Sequence, residues 1–386
     1  MVEENRIKRN LKKFAFPRLS GTRYELKAFN QVKSEVEGLN LDFEVQNFSF
    51  SSFYSRAYPK IAFTSGSLIF LIFYLEYHLI ISTILLVILA FILSLSFFLT
   101  RRPEKIQFLK KFNSQNLLVK VQSISEKLKN NDRIVLFISH LDSKGQVFTI
   151  RLRIRMIKLW ITTIIILGCC LPFKFLVHWR FLDLVNIIML FPLIMNFFSA
   201  LLIILNATNN NSIGAVDNAS GIVCNLEVLN HYSNEKNRLI NYDMWFLFTG
   251  AEECGTMGIR HFYNTLNNYN PKISVVFNFE SIAHNVFLFP GGKEGPNAQD
   301  INSLLINNTR DLKVHHYITN RVLGTHSDGG FLGDKGFQGY GIGEVEAYNY
   351  MHSPNDTLDK IDTGILKKLC LVLTDSLKKH DATFFE

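Results

Sequence analysis

The segment Arg133-Ile-Val-Leu-Phe-Ile-Ser-His140-Leu-Asp142 decides the fold. Its apolar run is too short for an ordinary helix and has no polar side. It is rich in β-branched and aromatic residues, so it reads as a strand buried on both faces. Met244-Trp-Phe-Leu-Phe and Ile273-Ser-Val-Val-Phe-Asn-Phe repeat the pattern. Leu41 to Phe50 alternates apolar and polar, as a half-buried strand does. Helical patterns fall at 25–37, with Phe29, Val32 and Val36 on one side, and at about 221–231, 256–267 and 364–379. Strands alternating with helices predict an α/β sheet covered on both faces. Ligands of such sheets bind beyond the carboxyl ends of the strands.

Two apolar blocks interrupt this pattern. From Ile61 to Thr100 the only charged residue is Glu76, and from Leu159 to Leu205 the only charges are Lys174, Arg180 and Asp183. A membrane helix takes about 20 residues, so each block predicts a hairpin. The first turns near Glu76-Tyr77-His78; the second gives spans at 159–177 and 182–205. The expected organisation is a soluble α/β domain in three pieces, 1–60, 101–158 and 206–386, with transmembrane hairpins at 61–100 and 159–205 between them. Arg56, Lys60, Arg101, Arg102, Lys105, Arg151, Arg153, Arg155 and Lys158 flank the blocks. By the positive-inside rule they place the termini and the soluble pieces in the cytoplasm, although Lys174 and Arg180 at the second turn run against this. An integral membrane protein with four spans is expected.

Composition removes several classes. Of 386 residues 48% are hydrophobic, which excludes a disordered chain, and only 19% are charged. The usual charged share is about 25%, so part of the chain is expected outside water. Five cysteines without zinc-finger or CxxC spacing exclude a disulfide-stapled domain and suit a reducing compartment. The net charge is +8, but the basic residues sit beside apolar runs and form no aromatic-interleaved patch. That favours membrane lipid over nucleic acid as a partner. The first apolar run begins too far from the start for a signal peptide. A transporter is not expected, because the few charges in the apolar blocks lie near turns.

Five segments at strand ends or in loops carry metal-type ligands. In Ser139-His140-Leu141-Asp142, Asp142 lies two residues beyond His140, on the same side of a strand. It can accept the second ring N–H and leave the other nitrogen for a metal. Gly214-Ala-Val-Asp217-Asn218-Ala-Ser-Gly221 puts one carboxylate among small residues at a helix start, where Asp217 or Asn218 would also serve as an ordinary N-cap. Gly250-Ala-Glu252-Glu253-Cys-Gly255 supplies adjacent carboxylates, of which one can bind metal while the other stays free as a base. Asn278-Phe279-Glu280 ends a strand, and His352 lies in Tyr350-Met-His-Ser-Pro-Asn-Asp-Thr357 before the last helix. Singly these segments are bland. Together they supply two histidines and four carboxylates, a suitable set for two zinc ions and a general base.

The order of these segments resembles the di-zinc aminopeptidases of metallopeptidase family 28, which include bacterial leucyl aminopeptidases and relatives of glutamate carboxypeptidase II. Phe16-Pro-Arg-Leu-Ser-Gly-Thr22 is similar to that family's opening, and Ser327-Asp-Gly-Gly-Phe331 with Gly336-Phe337 to a later segment. The resemblance runs from about residue 16 to 380. It implies a three-layer α/β/α zinc-exopeptidase fold around a mixed sheet. It implies Asp217 as a bridge between two Zn2+, Glu253 and His352 completing one site, and His140 and Glu280 the other. Glu252 would be the general base and Asp142 the partner of His140. Other divalent metals suit the same ligands.

Three positions depart from the family pattern. Glu280 stands where aminopeptidases usually have Asp, Met351 where many relatives have an oxyanion-stabilising Tyr, and Gly329 where His is common. Tyr348 or Tyr350 is expected to stand in for the missing Tyr. The implied activity is removal of N-terminal residues from peptides. The alternatives are a non-catalytic membrane scaffold and a glutaminyl cyclase. Oligomeric state is not legible.

Overall fold

The computed structural model describes residues 2–75, 79–106, 110–124, 133–176, 179–266, 269–291, 296–318 and 327–382. The turn expected at Glu76-Tyr77-His78 lies outside them. The chain forms two compact units. One comprises Met1–Phe50, Phe112–Gln146 and Asn209–Glu386; the other comprises Ser51–Lys111 and Val147–Thr208.

Helices α1 (Glu4–Phe14) and α2 (Arg23–Glu37) precede strand β1 (Phe43–Ser51). Helices α3 (Tyr58–Tyr74) and α4 (Leu79–Arg101) follow, then β2 (Lys111–Val121), β3 (Ile134–His140) and the two-residue β4 (Gly145–Gln146). Next come α5 (Ile150–Leu176), α6 (Leu182–Leu205) and the two-residue β5 (Thr208–Asn209). The remainder is α7 (Gly221–Ser233), β6 (Asp243–Thr249), α8 (Met257–Phe262), β7 (Val275–Phe279), β8 (Val286–Gly291), α9 (Pro296–Asp311), β9 (His316–Ile318), α10 (Asp328–Asp334), β10 (Gln338–Gly343) and α11 (Thr363–Ala382).

Eight strands make one mixed sheet in the order β1-β2-β6-β3-β7-β10-β8-β9. The central β6, β3, β7 and β10 are parallel, while β2 pairs antiparallel with β6 and β8 antiparallel with β10. β3 is buried at every residue because its two sides feed two cores. Val135 and Phe137 join residues of α1, α2, α7 and α11, and Ile134, Leu136 and Ile138 join Ile259, Phe262, Leu332 and Phe337. Phe137 stacks on Phe246 at 5.0 Å and Phe277 at 5.6 Å between ring centroids. Each large apolar side chain buried in this way contributes about 1.5–3 kcal/mol.

The strands expected at 41–50, 133–139, 244–248 and 273–279 match β1, β3, β6 and β7 to within about two residues, the usual uncertainty of an element end. Helix 256–267 is shorter than expected: α8 stops at Phe262 and a 3-10 turn, Tyr263–Leu266, follows. β10 was not anticipated, because the three glycines of Gln-Gly-Tyr-Gly-Ile-Gly weaken the strand signal of its Tyr and Ile. It forms because β7 and β8 pair with it on both edges.

Both departures of the chain from the first unit leave from and return to neighbouring points. Phe50 and Phe112 stack at 5.8 Å between centroids. Gly145 lies so close to Asn209 that a Cβ would sit 2.0 Å from its Oδ1.

In the second unit, among the described residues, three helices are long and apolar enough to cross a membrane: Phe53–Tyr74, Ile150–Lys174 and Leu182–Leu205, with mean hydropathies of 1.2, 2.0 and 2.5. The fourth expected span falls on α4, where Thr83–Ile92 is a shorter apolar stretch. α5 starts at Ile150 instead of near 159, because Arg151, Arg153, Arg155 and Lys158 are good helix formers that extend it beyond its apolar part. This unit turns polar groups inward. Asn196 accepts from Ser67 Oγ at 2.6 Å and donates to Thr163 Oγ1 at 2.9 Å, and Trp160 Nε1 donates to Ser67 at 3.0 Å. Ile165, Ile187, Phe191, Ile194 and Leu201 are exposed.

Candidate metal centre

The centre lies where β3, β6 and β7 end, as the sheet rule requires. β3 delivers His140, the turn after β6 delivers Glu252 and Glu253, and β7 delivers Glu280 one residue beyond its last pair. Asp217 comes from the loop before α7, and His352 from the loop before α11. Two sets of donors converge: His140 with Glu252 and Glu280, and Asp217 with Glu253 and His352, the donor atoms of each set within 4.8 Å of one another.

Asp217 faces both histidines. Its Oδ1 is 3.1 Å from His140 Nε2 and its Oδ2 is 3.0 Å from His352 Nε2, which is also 2.7 Å from Glu253 Oε1. One carboxylate oxygen per histidine is what a bridge between two cations needs. Among the described residues, buried His140 Nε2 and Glu253 Oε1 meet no partner beyond these carboxylate–imidazole contacts. Anions and imidazoles gathered out of water without compensating donors fit divalent cations.

The loops are held by groups that also explain their shape. Ala251, Thr256, Ser281 and His352 all have positive φ, so the backbone is strained around the donors. Asp142 accepts the N–H groups of Glu252 and Glu253 at 3.1 Å each and the Ser20 hydroxyl at 2.5 Å. With its carboxylate so occupied, the nearer partner of His140 Nδ1 is the Asp142 main-chain carbonyl at 3.1 Å, the carboxylate standing at 3.4 Å. Asn218, not Asp217, caps α7: its Oδ1 accepts Gly221 N–H at 3.1 Å, which leaves Asp217 to the histidines.

Sequence reasoning missed several residues. Asp356 accepts the N–H groups of Val216 and Asp217 at 2.6 and 3.2 Å and so orients the bridging loop. It lies in the quoted His-Ser-Pro segment, which was its only signal. Arg18 is fully buried and donates to the carbonyls of Leu141, Phe14, Phe16, Ile213 and Gly214, tying the chain start to two ligand-bearing loops. Lys144 Nζ is 3.1 Å from Glu253 Oε2. Asn278 Nδ2 donates to Glu280 Oε2 at 2.8 Å. Gly329 is what makes room for Asn278, since a Cβ there would lie 2.6 Å from Asn278 Cβ.

Electrostatics divide the site. Burial raises Glu253, but His352 and Lys144 outweigh it and hold its carboxyl at about 2. Burial pushes Glu280 up to about 8 against the pull of His140, and Asp217 and Asp328 add to the rise. Glu252 is raised well above the ordinary range by burial and by Glu280, Glu253 and Asp328. Burial acts to lower both histidines, yet the surrounding carboxylates raise them.

Beside the centre is a cavity of about 120 Å³ lined by Glu280, Phe289, Phe331, Tyr348 and Met351 among others. Tyr348 is thus on the wall of that cavity. Tyr350 is half-buried, lies outside that lining, and is pushed up by burial and by Glu344 and Asp356.

The profile of peptidase family M28 matches residues 182–375. No curated protein matches the chain. Among solved structures, an aminopeptidase from Aneurinibacillus sp. strain AM-1 is 13% identical, with a TM-score of 0.60 over 98% of this chain and 94% of that one. BSAP, a zinc aminopeptidase from Bacillus subtilis, is 13% identical with a TM-score of 0.56 over 98% and 95%. A glutaminyl cyclase from Fimbriiglobus ruber is 13% identical with a TM-score of 0.53 over 98% and 95%. At this identity the likeness is one of fold.

Proposed function

The chain belongs to peptidase family M28, and on that premise we propose that it is a membrane-embedded, two-zinc exopeptidase that removes N-terminal residues from peptides. The observation that carries the reading is the double-faced Asp217 between two donor sets. His140, Asp217 and Glu280 would hold one zinc, and Asp217, Glu253 and His352 the other. Zinc in such a set supplies a water acidified toward ~7 and a Lewis acid for the scissile carbonyl.

The chain's own residues do the rest. Glu252, buried with a raised affinity for protons, takes the proton from the attacking water and passes it to the leaving amine. Its main-chain N–H on Asp142 fixes where it stands. Tyr348, which lines the cavity, serves the oxyanion. The cavity, whose lining mixes Phe289, Phe331 and Met351 with Arg260, Asp334 and Glu344, takes the substrate side chain. Insertion in lipid is supported by the inward polar network and outward apolar side chains of the second unit. We assign four spans from the length of the two apolar blocks and a cytoplasmic catalytic unit from the flanking charges. Tag labelling that places the Glu252 loop outside the cell would reverse the orientation.

The test is zinc content of detergent-purified protein, with hydrolysis of aminoacyl anilides by wild type and Glu252→Gln. About two zinc per chain are expected, with activity down about 10²–10⁴-fold in the variant and zinc retained. Metal-free, inactive protein that cannot be reconstituted sinks the enzyme reading. Zinc-loaded protein that cyclises N-terminal glutamine instead of cleaving anilides replaces it with the glutaminyl cyclase reading, which the Fimbriiglobus ruber likeness favours.

A further inference from the structure

His352 is the one proposed metal ligand whose own backbone is left-handed, with φ of 62°. A non-glycine residue keeps that conformation only where its surroundings over-determine it. One residue contacts it twice. Gln146 donates its main-chain N–H to the His352 carbonyl at 2.7 Å, and its side-chain Oε1 lies 3.2 Å from His352 Nδ1. Both side chains are buried.

The remaining ring nitrogen, Nε2, faces Asp217 Oδ2 and Glu253 Oε1. For Nε2 to give its lone pair to a cation, Nδ1 must carry the proton and needs an acceptor. Gln146 Oε1 is placed to be that acceptor. His140 is held differently, by main-chain and carboxylate oxygens of Asp142 two residues away. The partner of His352 comes instead from a residue 206 positions away in the chain. It is also the last residue of the first unit before the chain departs into the apolar segment at Val147.

We propose that Gln146 is a positioning residue for His352: its side-chain oxygen fixes the imidazole tautomer and its N–H locks the strained backbone, so that zinc held by Asp217, Glu253 and His352 depends on the segment that leads into the second apolar insertion. This rests on the two-zinc reading above. A neutral amide here orients the ring without adding a charge to a set already rich in carboxylates.

The test is zinc affinity by chelator competition on full-length protein in detergent, for wild type, Gln146→Leu and Gln146→Glu. Thermal unfolding of each metal-free protein is measured alongside. Loss of a group that orients a ligand costs about 10–100-fold in metal affinity. That loss is expected in Gln146→Leu at one of two zinc sites, with the metal-free unfolding midpoint unchanged. Gln146→Glu keeps the acceptor and, although it adds a charge, is expected to retain more zinc affinity than Gln146→Leu. Should Gln146→Leu fail to fold, Gln146→Met of closer shape carries the same expectation. Wild-type affinity at both sites in the Leu or Met variant overturns the proposal, as does equal loss in Gln146→Glu. Wild-type protein that binds no zinc overturns this proposal and the enzyme reading together, whereas two zinc in wild type and no effect of Gln146 overturns this one alone.

Discussion

The two halves of the centre are built from the same residue types and balanced in opposite ways. Around Asp217, Glu253 and His352, the Lys144 ammonium lies 3.1 Å from Glu253, and that carboxyl is held at about 2. Around His140, Glu252 and Glu280 the supporting side chain is the neutral amide of Asn278, and Glu280 rises to about 8. Burial penalises the carboxylates in both halves; Glu253 is held low by His352 first and by Lys144 beside it, whereas around Glu280 the pull of His140 is outweighed by burial and by Asp217 and Asp328. In the half with Lys144 the Glu253 carboxyl is favoured in its ionised form. In the other half burial and neighbouring carboxylates push Glu252 and Glu280 toward the protonated form, and a carboxylate with a raised proton affinity suits a base.

The sharpest break of this comparison is Asp217→Asn, because Asp217 faces both halves. Zinc is expected to be lost from both, with no peptide hydrolysis. Retention of one zinc with normal affinity would show that the halves are independent. Next is Asn278→Ala, which removes only the partner of Glu280. It is expected to weaken one zinc by about 10–100-fold and leave the other unchanged, read by competition with a chromophoric chelator. Gly329→Val, which pushes on Asn278, should give the same selective loss. Equal weakening of both sites would contradict the division.

The smallest effect is on stability. Buried Glu25, which accepts from Ala251 N–H and Ser114, is raised from 4.5 to about 8 by burial and by Asp142. The unfolded chain releases this proton at lower pH than the folded one. Stability from Glu25 is therefore full below about 4.5 and is lost as pH rises through about 8. The unfolding midpoint of metal-free protein should fall over that window, and Glu25→Gln should flatten the fall.

Much of this was legible in the chain. The apolar runs at 134–138, 244–248 and 275–277 specify buried strands, since a strand covered on both faces needs no polar side. β10 and α10 were not legible: the glycines of one and the short Asp-Gly-Gly-Phe of the other carry no periodic signal. The donor residues stood out because each ends a strand or begins a loop. Their partners Lys144, Gln146, Asn278 and Asp356 did not, because a lone polar residue in a loop or near a strand end has no pattern that marks it.

By itself the sequence determined the α/β class, the two apolar interruptions and the residue types at the strand ends, because hydrophobic period and ligand chemistry are local properties. Only the tertiary structure decided that Asp217 turns one oxygen to each histidine, that Asn218 takes the cap, that Lys144 sides with Glu253, and that Gln146 holds His352. These are contacts between residues distant in the chain, and their strength depends on a burial that no local stretch of sequence carries.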